Sequence, residues 1–251
     1  MKQIIGNSII RLNLTDSTNN YANSQIREKE LVEGTVFLAY EQTSGRGQLK
    51  NTWESEPGKN LLFSIVLYPG FIEIRRQFML SKVVTLGIYQ AIHKYVDDLK
   101  IKWPNDIYSG NQKLGGILIE NSIMSGSLKS SVIGIGLNVN QTVFQSNAPN
   151  PVSLQTLTNQ HYDCEKILTE VLSGIDYYYS MIRSEEEKKI DQEFISVLYR
   201  LNERHSFRAD KNVFEGEIIG VNEIGQLMIR KVDDEILQFH FKEVEFLHNS
   251  H

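Results

Sequence analysis

The chain has 251 residues, 41% of them hydrophobic, and a formal net charge of −5, enough apolar material for one large domain or for a domain with a small companion. The acidic balance argues against a general nucleic-acid binder, which carries a basic face. A lone cysteine, Cys164, excludes an internal disulfide framework and fits a reducing cytoplasm; no secretory leader is evident and no apolar run approaches the ~20 residues of a membrane helix, so no membrane association is expected.

In chain order, residues 3–14 alternate loosely between apolar and polar. Asp16-Ser17-Thr18-Asn19 then supplies capping side chains ahead of a short helix over Tyr21–Lys29. Gly34–Glu41 has the texture of a buried strand and runs into a polar, glycine-rich loop, Gln42 to Trp53. Backbone N–H groups in such a loop can cradle phosphate, and Arg46 can pair with phosphate or carboxylate. It is not a P-loop, because no Gly-Lys-Ser/Thr follows. No apolar side chain precedes Leu49 after Ser44, so the loop is expected to be weakly anchored and to order over a ligand.

Asn60–Tyr68 is a second apolar strand. Leu80, Val83, Val84, Gly87, Ile88, Ala91, Ile92 and Tyr95 then fall on one face of a long helix. A double hairpin follows. Leu99–Trp103 is a strand, Pro104-Asn105-Asp106 a turn, Ile107-Tyr108 a short edge and Ser109-Gly110-Asn111 a second turn; Lys113–Glu120 returns as an apolar strand. Lys102 and Lys113 stand at strand ends beside these turns. Gly115-Gly116 inside a strand costs stability unless something approaches the backbone closely. Taken alone, the segment fits an ordinary surface hairpin with solvated lysines equally well.

Ser130–Asn140 is a strand with two glycines that ends in amides. The third glycine and the following helix of a dinucleotide fingerprint are missing, which rejects a Rossmann reading. Asn147–Pro151 is a loop. Ile167, Leu168, Val171, Leu172 and Ile175 mark one helix, and Ile190, Phe194, Val197, Leu198 and Leu201 another, with Glu185–Lys189 a solvated stretch between them and Tyr177–Tyr179 a packing element. From Arg204 the chain changes to short strands and turns, and Leu237, Phe239 and Phe241 alternate with polar residues. Residues 204–251 are expected to form a small β-barrel packed on a domain of residues 1–203. His248 and His251 fall in the tail. There is no His-x-x-x-His pair, no Gly-x-Ser-x-Gly elbow and no Cys/His cluster, which weighs against a zinc enzyme, a serine hydrolase and a cysteine nucleophile.

Four segments, in this order, resemble the biotin protein ligases (biotin–[acetyl-CoA-carboxylase] ligases): Gly45-Arg46-Gly47 through Trp53, Lys102-Trp-Pro-Asn-Asp106, Lys113-x-Gly-Gly-Ile-Leu-x-Glu120, and Gly134-Ile-Gly-x-Asn-Val-Asn140. Asp16–Asn19 and the C-terminal segment fit as well, so the likeness covers nearly the whole chain. It implies an α/β (α+β) fold, with a mixed sheet flanked by helices as in class II aminoacyl-tRNA synthetases, and an SH3-like C-terminal barrel. Some members carry an N-terminal helix-turn-helix; with Ser17 arriving so early, none is expected here and no DNA binding.

The chemistry implied is ATP-dependent. Biotin attacks the α-phosphate, and a lysine of a biotin carboxyl-carrier domain then takes the biotinyl group from biotinyl-5'-AMP. By resemblance, Lys113 and Arg46 hold the carboxylate and α-phosphate and are the catalytic pair. Ser17, Thr18, Asn19 and Gln42 hydrogen-bond the biotin head or line its pocket, Gly45, Gly47 and Gln48 also belong to the biotin-binding set, and Gly115 and Gly116 let the ligand approach the strand. Trp53 closes over the adenylate. Lys102, Asn105 and Asp106 serve the phosphate side, Asp106 also as a Mg²⁺ ligand, while Asn138 reads adenine with Arg230 a further adenylate contact. One departure stands out. Where the family loop is often Gly-Arg-Gly-Arg-Arg-Gly-Arg-x-Trp, this chain has Gln48, Leu49, Lys50 and Asn51, leaving charge only at Arg46 and Lys50. The alternatives are a lipoate–protein ligase of the same fold, or a non-catalytic biotin or adenylate binder; the acceptor's identity is open, and so is the oligomeric state, a homodimer included.

Overall fold

Runs of β-branched and aromatic residues become strands, and the computed structural model, which describes residues 3–48, 51–145 and 150–247, lays seven of them side by side. In chain order the elements are β1 (Ile9–Thr15), α1 (Thr18–Glu28), β2 (Val36–Gln42), β3 (Leu61–Leu67), α2 (Phe78–Ile92), β4 (Leu99–Lys102), β5 (Asp106–Ser109), β6 (Gln112–Met124) and β7 (Ser127–Leu137). Then come α3 (Leu154–Thr158), α4 (Cys164–Arg183) and α5 (Glu187–Ser196). The sheet order is β1-β2-β3-β7-β6-β5-β4. β1 and β2 run parallel, joined by the α1 crossover, and every other neighbour pair is antiparallel. This is the mixed sheet with flanking helices that the sequence led us to expect.

β3 is buried along its whole length because it has core on both faces. Phe63, Ile65 and Leu67 join the large core shared with α2 and α4, while Val66 lies with Ala22, Phe37 and Val132 under α1. The α1 face carries the site.

Residues beyond α5 form β8 (Arg204–Ala209), β9 (Asn212–Val221), β10 (Leu227–Lys231), β11 (Ile236–Phe239) and β12 (Glu245–Phe246), an antiparallel sheet in the order β11-β10-β9-β8-β12. Its Phe207, Ile218, Leu227 and Ile229 belong to the same core cluster as α2 and α5. Trp103 Nε1 donates to Gly225 O at 2.9 Å across the junction. A sheet this small buries too little by itself, and here it completes its core against the rest of the chain.

Several boundaries differ from expectation. α1 starts at Thr18 rather than Tyr21, and Ser17 sits at the N-cap without a side-chain cap bond. The first hairpin turn is Trp103–Asn105, since Asp106 already pairs with Lys102. β6 and β7 extend to a two-residue turn, Ser125-Gly126, with φ of 52° and 81°, both in the left-handed region that suits a tight hairpin. α3, which periodicity did not suggest, starts where Ser153 Oγ accepts from Thr156 N at 3.1 Å. α5 ends at Ser196, leaving Val197, Leu198 and Leu201 outside the helix. The chain there runs along β4 instead, with Ile101 N donating to Val197 O and Tyr199 N to Ile101 O, both at 2.9 Å, which covers a sheet edge.

Candidate active site

The strand registers draw one row of residues across the sheet. Lys102 pairs with Asp106, Asp106 with Gly116, Gly116 with Gly136, and Gly136 with Leu62. Paired residues share a face, and all five line one cavity of about 390 Å³. A bulge at Ile107/Tyr108 lets Lys113, which pairs with Tyr108 one step along, reach back to this row. Its Nζ lies 2.7 Å from Asp106 Oδ1, with both side chains partly exposed to the cavity.

The glycine pair in the row opens space for the indole of Trp53. A Cβ on Gly136 would come within 2.4 Å of Trp53 Cε2, and one on Gly116 within 3.2 Å of Cζ3. Lys113 Nζ stands 5.8 Å from the Trp53 ring centre. Trp53 Nε1 is buried without a hydrogen-bond partner. The described part of its loop is a small hairpin. Gly47 N donates to Asn51 O at 2.7 Å, Trp53 N to Gly45 O at 2.9 Å and Ser44 N to Asp16 O at 2.9 Å. Two of these bonds pair the loop with itself and the third ties its base to Asp16, so the described part has a defined shape whatever its side chains. Leu49 and Lys50 lie outside the described residues.

At one end of the cavity the next row, Leu118, Gly134 and Ser64, meets the start of α1. Ser64 Oγ is 2.7 Å from both Thr18 Oγ1 and Asn19 Oδ1; its single proton satisfies one of them, and the Thr18 hydroxyl supplies the other bond. Gln42 Oε1 accepts from Thr18 N at 2.7 Å. Asn19 Nδ2 donates to Leu118 O and to Glu120 Oε2. Gly134 gives Asn19 its room, for a Cβ there would fall 2.3 Å from Oδ1. Arg46 is tied to this end: Nη2 is 2.8 Å from Glu120 Oε1, and Nη1 donates to Asn20 Oδ1 at 2.7 Å.

The other end holds Lys102. Its Nζ is 3.2 Å from the Tyr108 hydroxyl, 4.6 Å from the Tyr108 ring centre and 5.1 Å from that of Phe246. Burial pushes this ammonium below the ordinary lysine range; nearby Asp106 opposes the shift, and Arg200 and Lys113 add to it. The C-terminal sheet supplies this end of the wall through Phe241, Lys242, Val244, Glu245 and Phe246.

Of the residues anticipated from sequence, Ser17, Thr18, Asn19 and Gln42 meet at one end of the cavity, and Lys102, Asn105, Asp106 and Lys113 on its sheet wall. Arg46, Gly47, Gln48, Trp53 and Gly116 line it as well. Four are placed elsewhere. Gly45 allows the hairpin to close, since a Cβ there would be 2.4 Å from Trp53 O, and Gly115 faces the neighbouring strand, where a Cβ would be 3.1 Å from Gly136 O. Asn138 is buried behind the wall, with Nδ2 donating to Val152 O at 3.0 Å and Oδ1 unpartnered. Arg230 is on β10, 3.2 Å from Glu217, away from the lining. Asn105 lines the cavity but also ties the turn to β6, its amide donating to Ile117 O. Sequence reasoning missed Glu120 as the partner of Arg46, and the Phe241–Phe246 segment. The Arg46 and Glu120 positions lie in separate motifs, and no local pattern links them.

Among the described residues no cluster of three or more His, Cys, Asp or Glu is placed to hold a metal, and no helix is long and apolar enough to cross a membrane.

Residues 12–138 match the model of the biotin/lipoate A/B protein ligase family. The biotin–[acetyl-CoA-carboxylase] ligase of Paracoccus denitrificans is 28% identical over 226 residues, covering 86% of this chain and 91% of that protein. The bifunctional ligase/repressor BirA of Bacillus subtilis is 25% identical over 233 residues, covering 90% of this chain and 70% of that protein. Among solved structures, the biotin protein ligase from Aquifex aeolicus in complex with biotin and ATP superposes with a TM-score of 0.81 at 26% identity, over 97% of this chain and 100% of that one. The chain belongs to the biotin/lipoate A/B protein ligase family.

Proposed function

We propose that this family member attaches biotin to a lysine of a biotin carboxyl-carrier protein, using ATP and passing through biotinyl-5'-AMP. The observation that carries this is the row Lys102, Asp106, Gly116 and Gly136, which joins a cationic end and a polar end within one cavity. A carboxylate and a triphosphate repel each other, so their reaction needs fixed positive charge where they meet. Lys113 supplies it beside the glycine pair, with Asp106 holding its ammonium in place. A biotin carboxylate oxygen attacks the α-phosphorus and the bond to the bridging oxygen breaks, releasing pyrophosphate toward Lys102. The neutral amine of the acceptor lysine then attacks the acyl carbon, AMP leaves with the bonding pair, and the amine's proton passes to solvent. Trp53, lying on Gly116 and Gly136, covers the reacting centre and excludes water from the mixed anhydride.

Mg²⁺ is ordinarily held by one or two carboxylates together with the phosphates. Asp106 is the carboxylate beside Lys113 that fits this pattern, and the ion would neutralise phosphate charge there. The polar end formed by Thr18, Asn19 and Gln42 suits a ureido head, which both donates and accepts hydrogen bonds, whereas the dithiolane of lipoate has no donor to offer it. The net charge of −5 supports a role without DNA binding, and the single cysteine a cytoplasmic one. ATP–pyrophosphate exchange, run with biotin and with lipoate side by side, tests the reading: exchange is expected with biotin, and exchange with lipoate alone would reverse the assignment.

A further inference from the structure

We propose that Gln141 is a positioning residue for the ligase reaction, holding the Trp53 indole on Gly136 by clamping the chain just beyond Trp53 to the end of β7; the proposal rests on the reading of the cavity as a ligase site. Gln141 is 1% exposed, lies outside the cavity lining and follows closely on the end of β7 at Leu137. A side-chain amide offers two donors and two acceptor positions, and here all four are used. Oε1 accepts from Glu56 N at 2.9 Å and from Asn60 Nδ2 at 2.7 Å, while Nε2 donates to Glu54 Oε1 at 3.3 Å and to Val143 O at 2.9 Å. Glu54 and Glu56 belong to the segment directly after Trp53. Asn60, immediately ahead of β3, completes the clamp: Nδ2 also donates to Ser55 Oγ at 3.0 Å, and Oδ1 accepts from Val139 N at 2.9 Å.

The indole makes no hydrogen bond of its own, since Nε1 is buried and unpartnered. Its place is therefore set by packing on Gly116 and Gly136 and by the backbone on either side. On the N-terminal side, Trp53 N donates to Gly45 O at 2.9 Å, within the hairpin's own pairing. On the C-terminal side, the chain enters the Gln141 clamp at once. That clamp is built on the same two strands as the indole's seat. Gly136 of β7 pairs with Leu62 of β3, and Gln141 and Asn60 lie just beyond the ends of these strands. Anchor and seat thus form one piece, and burial makes each bond in it costly to break. Gln145 N donates to Glu54 Oε1 at 2.8 Å, tying the segment after Gln141 to the same carboxylate. A fixed point directly after Trp53 refers the indole's position to the sheet rather than to the hairpin.

The test uses the full chain with Gln141→Leu and with Glu54→Ala, the latter cutting the clamp from its partly exposed side in case the buried change does not fold. Loss of biotinyl-adenylate by hydrolysis and release is followed without acceptor, per adenylate bound, so that a smaller folded fraction does not enter. Acrylamide quenching of Trp53 is taken as the difference between each chain and its Trp53→Phe counterpart. Both variants should speed adenylate loss at least about fivefold, the effect of an ordinary hydrogen bond on an opening equilibrium, and leave Trp53 more open to quenching. Gln141→Glu should act like Gln141→Leu, because two carboxylates then face each other, and adding Glu54→Gln should rescue it by returning the missing donor. In a Trp53→Ala background, Gln141→Leu should add nothing, since Gln141 acts through the indole. The same acceleration in that background would overturn the proposal, as would native adenylate loss and quenching in both variants or in whichever one folds. Failure of the ligase reading shows separately, as a native chain without biotin-dependent pyrophosphate exchange, and quenching still reports the clamp.

Discussion

The indole of Trp53 rests on Gly136 so closely that a single methyl group there would lie 2.4 Å from Cε2. Gly136→Ala must therefore displace the indole or the strand, at an overpacking cost of about 1–3 kcal/mol. The expected outcome is a clear loss of adenylation with a change in Trp53 emission, Trp53→Phe serving as the spectral reference. Native activity and emission in Gly136→Ala would mean that the indole's position over the sheet does not matter to the reaction.

Lys113 is held 2.7 Å from Asp106 at the row's centre. Removing one preorganised electrostatic stabiliser typically costs about 10²–10³ in rate. Lys113→Ala should lower biotin-dependent exchange by that order while thermal stability changes little, since the pair is partly exposed. Full activity in this variant would remove Lys113 from the catalytic role.

At the polar end, Gly134→Ala would place a Cβ 2.3 Å from Asn19 Oδ1, pushing Asn19 off Ser64. The KM for biotin should rise while that for ATP stays near native, because the nucleotide end is built from other strands. A rise confined to the ATP KM would place biotin elsewhere in the cavity.

The elements that sequence made legible are those with a local cause. The period of α2 follows from Leu80 to Ile92, and the turns flanking Ile107-Tyr108 follow from Pro104, Asn105 and Gly110. The glycines at 116 and 136 announced that something approaches the strands, but not that they face each other; that depends on the register of β6 on β7, which no single segment encodes. Val197 and Leu198 kept a helical spacing after the helix had ended, because pairing with β4 outweighed propensity. The Arg46–Glu120 pair joins residues 74 positions apart, and the Phe241–Phe246 segment enters the site only through the docking of the small sheet. Arg230, the basic residue singled out in that sheet, is engaged by Glu217 instead.

Lys102 gives a pH prediction. Burial lowers its folded pKa, with Asp106 opposing and Arg200 and Lys113 reinforcing. Phosphate binding needs the ammonium, so ATP affinity should fall as pH rises through that lowered value, before ordinary lysines titrate. For stability the sign is opposite: between the folded and unfolded pKa values the unfolded chain binds more protons, so this group's unfavourable contribution is relieved as pH rises through that window. Lys102→Arg, which stays charged, should abolish the early fall in ATP affinity. A native chain and Lys102→Arg with the same pH profile would show that Lys102 does not carry the effect.

Retention of the adenylate turns on the loop's charge. Arg46, the loop's charged residue among those described, is bound to Glu120 and Asn20, and Gln48 lines the cavity with an uncharged amide. A relative with a fully basic loop could add charge-assisted hydrogen bonds worth about 1.5–3 kcal/mol each. Gln48→Arg is therefore expected to slow release of biotinyl-adenylate by roughly tenfold or more, followed directly by displacement of labelled adenylate. Glu120→Gln provides the complementary change: it frees Arg46 from its ion pair without altering the loop's own sequence, and should also slow release if the guanidinium can then turn to the phosphate. Slower release in Gln48→Arg alone places position 48 beside the phosphate, and slower release in Glu120→Gln alone makes the Arg46 latch the controlling feature. Unchanged release in both would assign retention to the packing of Trp53 on Gly116 and Gly136, where Trp53→Ala should then accelerate it.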